Sequence, residues 1–302
     1  MRFSIYQDSL IGARSYNQDR MGYCFTRDTL LMVVADGMGG HLRGEVAAQL
    51  TLQAAAASFQ KAARPSIADP AGFLDMSLRN GHRDILRYQH ANRMPESPRT
   101  TVVACIIQNG HAWWAHAGDS RLYWVRDGNC LMRTEDHSKV QNLVNLGLIT
   151  PEEQENHPER NKVLNCLGSP FDPTIELSGA HELQPGDHLM LCSDGVWSAL
   201  GDGDIAAALS VAPLASSVPG LVQRAVKAEG PTADNATALA VHWEGDELDT
   251  DLSSREVPEG AITTTIAVGL EQAEESDEDI SDDEIEKTIR EIREAIEKTG
   301  GN

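Results

Sequence analysis

Residues 30–44, Leu-Leu-Met-Val-Val-Ala-Asp-Gly-Met-Gly-Gly-His-Leu-Arg-Gly, constrain this chain more than any other stretch. The first six are an unbroken apolar run rich in Val and Leu, the length of a buried strand, and the run stops on Asp36. A carboxylate therefore stands at a strand tip. Gly37, Gly39 and Gly40 then allow a sharp turn with main-chain amides and carbonyls uncovered, where an ion could bind, and the Ala-rich stretch after Gly44 predicts a helix. A P-loop is excluded because Glu45-Val46 stands where Lys followed by Ser or Thr is required. A dinucleotide fingerprint fails because Leu42 occupies its third glycine position.

The same pattern returns once, and a third aspartate stands before a strand instead of after one. Residues 188–192 are a second apolar strand running into Ser193-Asp194-Gly195, and Pro231-Thr-Ala-Asp234-Asn235 leads into a last strand over 236–243. Ahead of them the alternation predicts strands at 3–11, 21–26, 100–107, 112–117, 121–125 and 174–177. Asn109-Gly110 and Gly118-Asp119-Ser120 look like hairpin turns, so 100–125 reads as an antiparallel meander. Helices are predicted at 44–63, with Val46, Leu50, Ala54 and Ala57 on one face, and at 71–90, with Leu74, Leu78 and Ile85 buried and Asn80-Gly81 as a weak point. Two more are predicted at 203–210 and 218–228. Residues 137–168 break the strand pattern with a helix at 139–147 and a second opened by Thr150-Pro-Glu-Glu153, a capping box.

Charge separates body from tail. The 302 residues carry 25 Lys plus Arg against 46 Asp plus Glu, net -21, which argues against binding nucleic acid or an anionic membrane. Residues 244–302 hold 20 of the acids and only 5 bases, so residues 1–243 are an ordinary mildly acidic globule. In the tail, 261–270 could dock as an extended segment, and Ile285, Ile289, Ile292 and Ile296 would line one side of a helix. Five widely spaced cysteines without CxxC spacing read as free thiols of a reducing compartment. No run of 18 uncharged apolar residues is present, so a cytoplasmic protein is expected.

Asp36, Asp194 and Asp234 converge if their strands are neighbours. Carboxylates so close are tolerated only when ionisation is suppressed or a cation compensates them. With oxygen ligands and no Cys or His in these motifs, Mg²⁺ or Mn²⁺ is expected ahead of Zn²⁺. Two ions about 4 Å apart could activate water for attack at phosphorus. Arg14, in Gly12-Ala-Arg-Ser-Tyr-Asn-Gln-Asp-Arg20, offers a planar fork to phosphate, and Asp19 in the same segment could hold a metal or its water.

Taken in order, Arg14 to Asp19, Val34-Ala-Asp-Gly-Met-Gly-Gly40, Thr100-Thr101, Ala117-Gly-Asp-Ser-Arg121, Asp136-His-Ser138, Ser193-Asp-Gly195 and Asp234-Asn235 resemble the metal-dependent protein Ser/Thr phosphatases of the protein phosphatase 2C type, in the bacterial form. The resemblance spans residues 3–243. It implies an α+β fold, a four-layer α-β-β-α sandwich of two antiparallel sheets flanked by helices, with metals at one end. It makes 1–243 the phosphatase domain, 137–168 its flap, and 244–302 an acidic, largely disordered tail without a family counterpart. By the same resemblance Asp36 bridges two Mn²⁺ or Mg²⁺ ions, the Gly37 carbonyl contacts one, and Asp194 and Asp234 complete the other. Asp119 with Asp194 matches a third, weaker metal site, Asp19 holds a metal-bound water, and Arg14 binds the substrate phosphate.

The implied reaction is hydrolysis of phosphoserine and phosphothreonine in phosphorylated proteins by a monomer, opposing a bacterial Ser/Thr kinase. Departures from the pattern are Gln18 for a usual Glu, Arg99 for a usual Gly, and Met38 where eukaryotic members have a His proposed as general acid. Metal-bound water or His41 is then left to protonate the leaving group. The rival reading is a family-shaped binding module working through its tail, but a scaffold has no reason to retain a repulsive carboxylate cluster.

Overall fold

In a computed structural model of the chain, residues 1–38, 43–150, 153–154, 157–160, 162–246 and 262–266 are described. The architecture follows from β3 (Thr29–Ala35). Its Leu30, Met32 and Val34 face one way, Leu31, Val33 and Ala35 the other, and all six are fully buried. A strand apolar on both faces needs a layer on each side. Between the sheets, Leu30, Met32 and Val34 meet Leu122, Leu189, Leu191 and Leu239. On the other side, Leu31 and Val33 pack under α1 (Gly44–Ala62) and α2 (Pro70–Ala91).

The remaining strands are β1 (Arg2–Leu10), β2 (Arg20–Phe25), β4 (Val102–Gln108), β5 (His111–Ala117), β6 (Arg121–Arg126), β7 (Asn129–Arg133), β8 (Glu176–Leu177), β9 (His181–Glu182), β10 (His188–Cys192), β11 (Ala236–Gly245) and β12 (Thr263–Thr264). One sheet has the order β1-β11-β10-β6-β7. The other runs β12-β2-β3-β4-β5-β8, with β9 also on β5. Every pairing is antiparallel. A short α3 (Lys139–Asn145) lies in the inserted segment, and α4 (Asp194–Trp197), α5 (Asp202–Val211) and α6 (Leu214–Glu229) cover the outer face of the first sheet over Tyr123, Met190 and Ala238. The result is the four-layer α+β sandwich. Among the described residues no helix is long and apolar enough to cross a membrane.

Three expectations are corrected or refined. The 100–125 meander does not form: β4 and β5 are a hairpin over Asn109-Gly110, but β6 belongs to the other sheet. Gly118 at φ +113°, where a Cβ would lie 2.5 Å from Thr101, carries the chain across rather than back. The buried side of α1 is Ala47, Ala48, Thr51, Leu52, Ala55 and Phe59 more than the predicted stripe, with Val46, Leu50 and Ala57 at its margin. That helix packs on the sheet and on α2 at once, so two contacts, not one, decide its burial. At the second contact Gly81 helps α2, since a Cβ there would come 3.2 Å from the Thr51 Cα.

The capping box is formed in both directions, Thr150 N–H donating to Glu153 (2.8 Å) and Glu153 N–H to Thr150 Oγ1 (3.3 Å). All five cysteines are unpaired. Contacts divide the chain into Met1–Val268 and Gly269–Asn302; the second unit, with the predicted helix through Ile285 and Ile296, lies outside the described residues. Within the first, residues 262–266 return as β12 on the edge of β2. Thr265 N–H donates to the Tyr23 carbonyl, Tyr23 N–H donates to Thr265 Oγ1, and Ile266 fills the notch left by Gly22.

Candidate functional site

The register brings the predicted carboxylates together. Ala35 at the end of β3 pairs with Arg20 at the start of β2, and Ala117 at the end of β5 pairs with Val102 at the start of β4. In the other sheet Cys192 pairs with Arg121 on one side and Ala238 on the other. Asp19, Asp36, Asp119, Asp194 and Asp234 flank those strand ends, so all project at one end of the sandwich. Asp36 lies near enough to Asp19 and Asp194 for each charge to raise its pKa. Carboxyl groups gathered this closely require a shared proton or a cation.

Backbone contacts hold the pieces in place. The Asp36 carbonyl accepts from Thr101 N–H (2.9 Å) and Thr100 Oγ1–H (2.8 Å), which explains the Thr pair. Gly37 packs against Gly44 so closely that a Cβ on it would lie 2.4 Å from the Gly44 carbonyl carbon. The Asp119 carbonyl accepts from Trp197 Nε1–H (2.8 Å). Asn235 Oδ1 accepts from Gln18 N–H (2.8 Å), tying the Arg14–Asp19 segment to the start of β11. Gln18 donates to Glu45 (3.3 Å), so a carboxylate stands beside this segment.

Electrostatics matches the crowding. Burial, then the charges of Asp19, Asp194, Asp119 and Asp234, holds the Asp36 carboxyl well above the usual carboxylate range. Asp119 is likewise raised well above it by burial and by Asp194 and Asp136. Burial pushes Asp19 up to about 7 against the hydrogen bond it accepts from Ser193, and burial with Asp234 pushes Asp194 up to about 6. Asp19 Oδ2 accepts from Ser193 Oγ–H (2.7 Å), but its buried Oδ1 has no hydrogen-bond partner among the described residues. A crowded oxygen set in which ionisation is suppressed, with an orphaned carboxylate oxygen beside it, fits a hard divalent cation.

Arg14 stands at the same end of the sandwich, within reach of the charges of Asp194 and Asp36. Its fork lies on Asp234, Nε donating to Oδ1 (2.8 Å) and Nη2 to Oδ2 (2.6 Å). His41 falls in residues 39–42, outside the described residues. Two supports were missed. In the sequence Ser193 is one letter of a motif; in the fold it bridges Asp19 and the Thr237 amide (3.0 Å). Asp136 does not join the cluster by contact; both its oxygens accept from buried Arg121 (2.8 Å each), whose guanidinium lies 3.6 Å over the Trp197 ring. A buried carboxylate fifteen residues from an arginine carries no local sequence signal of their pairing.

Comparison with known proteins gives the lineage. Residues 7–219 match the family model described as protein phosphatase 2C. The chain is 36% identical over 227 residues, 75% of its length, to the serine/threonine protein phosphatase PstP of Mycobacterium tuberculosis, and spans only 42% of that relative. It is 30% identical over 230 residues to protein phosphatase PhpP of Streptococcus pneumoniae, covering 76% of this chain and 92% of that one. A crystal structure of the PstP catalytic domain in complex with two manganese ions superposes with a TM-score of 0.68 at 32% identity, covering 80% of this chain and 99% of that one. Sequence, layer order and the gathered aspartates agree: the chain belongs to the protein phosphatase 2C family.

Proposed function

We propose that this protein is a metal-dependent protein-serine/threonine phosphatase, acting in the cytoplasm as a monomer on phosphorylated proteins and opposing a Ser/Thr kinase. The single observation that carries the reading is the convergence of five aspartates at one end of the sandwich, near enough that their charges raise one another's pKa. Its free thiols suit a reducing compartment. In this reading residues 1–243 are the catalytic domain and 137–168 its flap. Residues 244–302 are an acidic tail, of which 262–266 return to the domain.

Asp36, Asp194, Asp234 and the Gly37 carbonyl would hold two Mn²⁺ or Mg²⁺ ions, and Asp119 with Asp194 a third. Bound there, divalent ions supply positive charge for phosphoryl oxygens and lower the pKa of water. Asp19, fixed through Oδ2 by Ser193, has Oδ1 free to accept a hydrogen bond from the attacking water and orient it. Arg14 binds the phosphate of the substrate through the two N–H groups that now hold Asp234. Asn235 fixes the segment carrying both residues. His41, as leaving-group acid, rests on sequence alone.

The test is hydrolysis of p-nitrophenyl phosphate and of a phosphothreonine peptide by the full chain. Activity should require Mn²⁺ or Mg²⁺, vanish with EDTA and return on adding metal. It should fall at least 100-fold in Asp36→Asn and Asp194→Asn. Undiminished turnover in EDTA or in either variant would overturn the assignment.

A further inference from the structure

A second cluster of side chains with metal-ligating atoms lies where β5 meets the inserted segment 137–168, and it uses none of the five aspartates. One ligand atom each of His116, His137 and Glu176 lies within 4.8 Å of the other two. His116 and Glu176 face each other directly across the β5–β8 pairing, so their side chains leave the same face of the sheet. The His116 and His137 rings stack, centroids 4.5 Å apart at 21°.

Hydrogen bonding decides which atoms are available. His116 Nε2 lies 2.7 Å from the Glu135 carbonyl, which can only accept, so Nε2 carries the proton and Nδ1 carries the lone pair. That Nδ1 is buried, in a side chain 2% exposed, and has no partner among the described residues. His137 has the opposite arrangement. Its Nδ1 accepts from Asn165 Nδ2–H (2.7 Å) and Gly118 N–H (3.3 Å), and Thr174 fixes the Asn165 amide through both its N–H and its carbonyl. The His137 proton therefore sits on Nε2 and is donated to Glu176 Oε2 (3.1 Å).

We propose that His116 Nδ1 and the Glu176 carboxylate form a binding site for one borderline transition-metal ion of the Zn²⁺ type, with His137 as the positioning residue that holds Glu176. The donor set of one imidazole and one carboxylate suits Zn²⁺ better than Mg²⁺, which takes oxygen. Each ligand already has the outer partner such sites use: a backbone carbonyl on the far nitrogen of His116, and an N–H on the carboxylate. Burial, and then His137, lowers the His116 pKa, which keeps that ring neutral at pH 7. A cavity of about 280 Å³ lined by His116, Glu176, Glu135, Trp114 and His181 gives room for waters to complete the coordination. Because His137 also accepts from Gly118, the amide next to Asp119, an ion here would brace the root of the inserted segment. The site does not depend on the phosphatase reading.

The test is titration of Zn²⁺ into the ¹⁵N-labelled full chain in excess Mg²⁺, followed by the ring nitrogens of the histidines in NMR and by equilibrium dialysis. The expected result is a shift of His116 Nδ1 on adding Zn²⁺, with Nε2 of both rings still protonated. Glu176→Gln, at an exposed position that leaves folding intact, should weaken that binding at least tenfold. No shift at His116, a shift confined to His137, or equal Zn²⁺ binding by Glu176→Gln rejects the site.

Discussion

Arg14 closes its guanidinium fork on Asp234, at 2.8 and 2.6 Å to the two carboxylate oxygens. In the proposed mechanism each partner is needed elsewhere, the carboxylate for a cation and the fork for phosphate. The side chains are 57% and 39% exposed, where such pairs contribute about 0–1 kcal/mol, so competitors can displace either. In that mechanism, cation binding at Asp234 would release the Arg14 fork for the substrate phosphate.

Arg14→Ala should leave the melting temperature almost unchanged. It should raise KM for p-nitrophenyl phosphate about tenfold or more and tighten Mg²⁺ binding in the absence of phosphate, read by calorimetry. Arg14→Lys keeps the charge without the fork and should tighten Mg²⁺ as well. Weaker Mg²⁺ binding in both variants contradicts the competition.

The pKa shifts give a pH dependence of known sign. A carboxyl with a folded pKa above its unfolded value binds more protons when folded. It lowers stability above the folded pKa, and that penalty fades as pH falls through it. For Asp19 the window runs from about 7 down to the ordinary 3.8, and Asp194 adds to it from about 6. In EDTA the protein should therefore gain stability as pH is lowered from about 7.5 to about 5, and saturating Mg²⁺ should flatten the trend. Calorimetric melting at several pH values checks it.

Asp136→Asn should destabilise the fold by about 3 kcal/mol or more, because it leaves Arg121 buried with its main counter-charge gone. Chemical denaturation measures this. A loss below about 1 kcal/mol would mean that Tyr123 and Asp202 suffice as partners for the guanidinium.

Ile266→Ala should lower stability by about 2 kcal/mol, since the side chain is 4% exposed and fills the Gly22 notch. Gly22→Ala should do similar harm from the other side, because its Cβ would lie 2.5 Å from Ile266. Combined, the two losses should be less than additive, which a double-mutant cycle by denaturation resolves. Activity on p-nitrophenyl phosphate should survive in each.

Asp36 and Asp194 were legible in the sequence because an apolar strand running into Asp-Gly announces both the strand and its end. Their convergence follows if the strands are neighbours, and Asp234 stands just before the start of another apolar strand. The β5–β6 crossing was not legible. Gly118-Asp119-Ser120 has local turn chemistry that serves a hairpin or a change of sheet equally well, and contact with Thr101 across the fold decides between them. Ser193 and Asp136 were visible as motif letters, but their partners Asp19 and Arg121 are assigned by packing. The burial of α1 escaped for a similar reason: periodicity describes one face, and that helix has two neighbours.

The seating of Ile266 over Gly22 also bears on how these molecules behave toward one another. β12 covers the outer backbone groups of β2, which would otherwise be a bare strand edge beside an apolar hollow. A chain trimmed back to Gly245 would display that edge to its neighbours and should associate through it at high concentration, whereas the longer polypeptide carries its own guard against sticking.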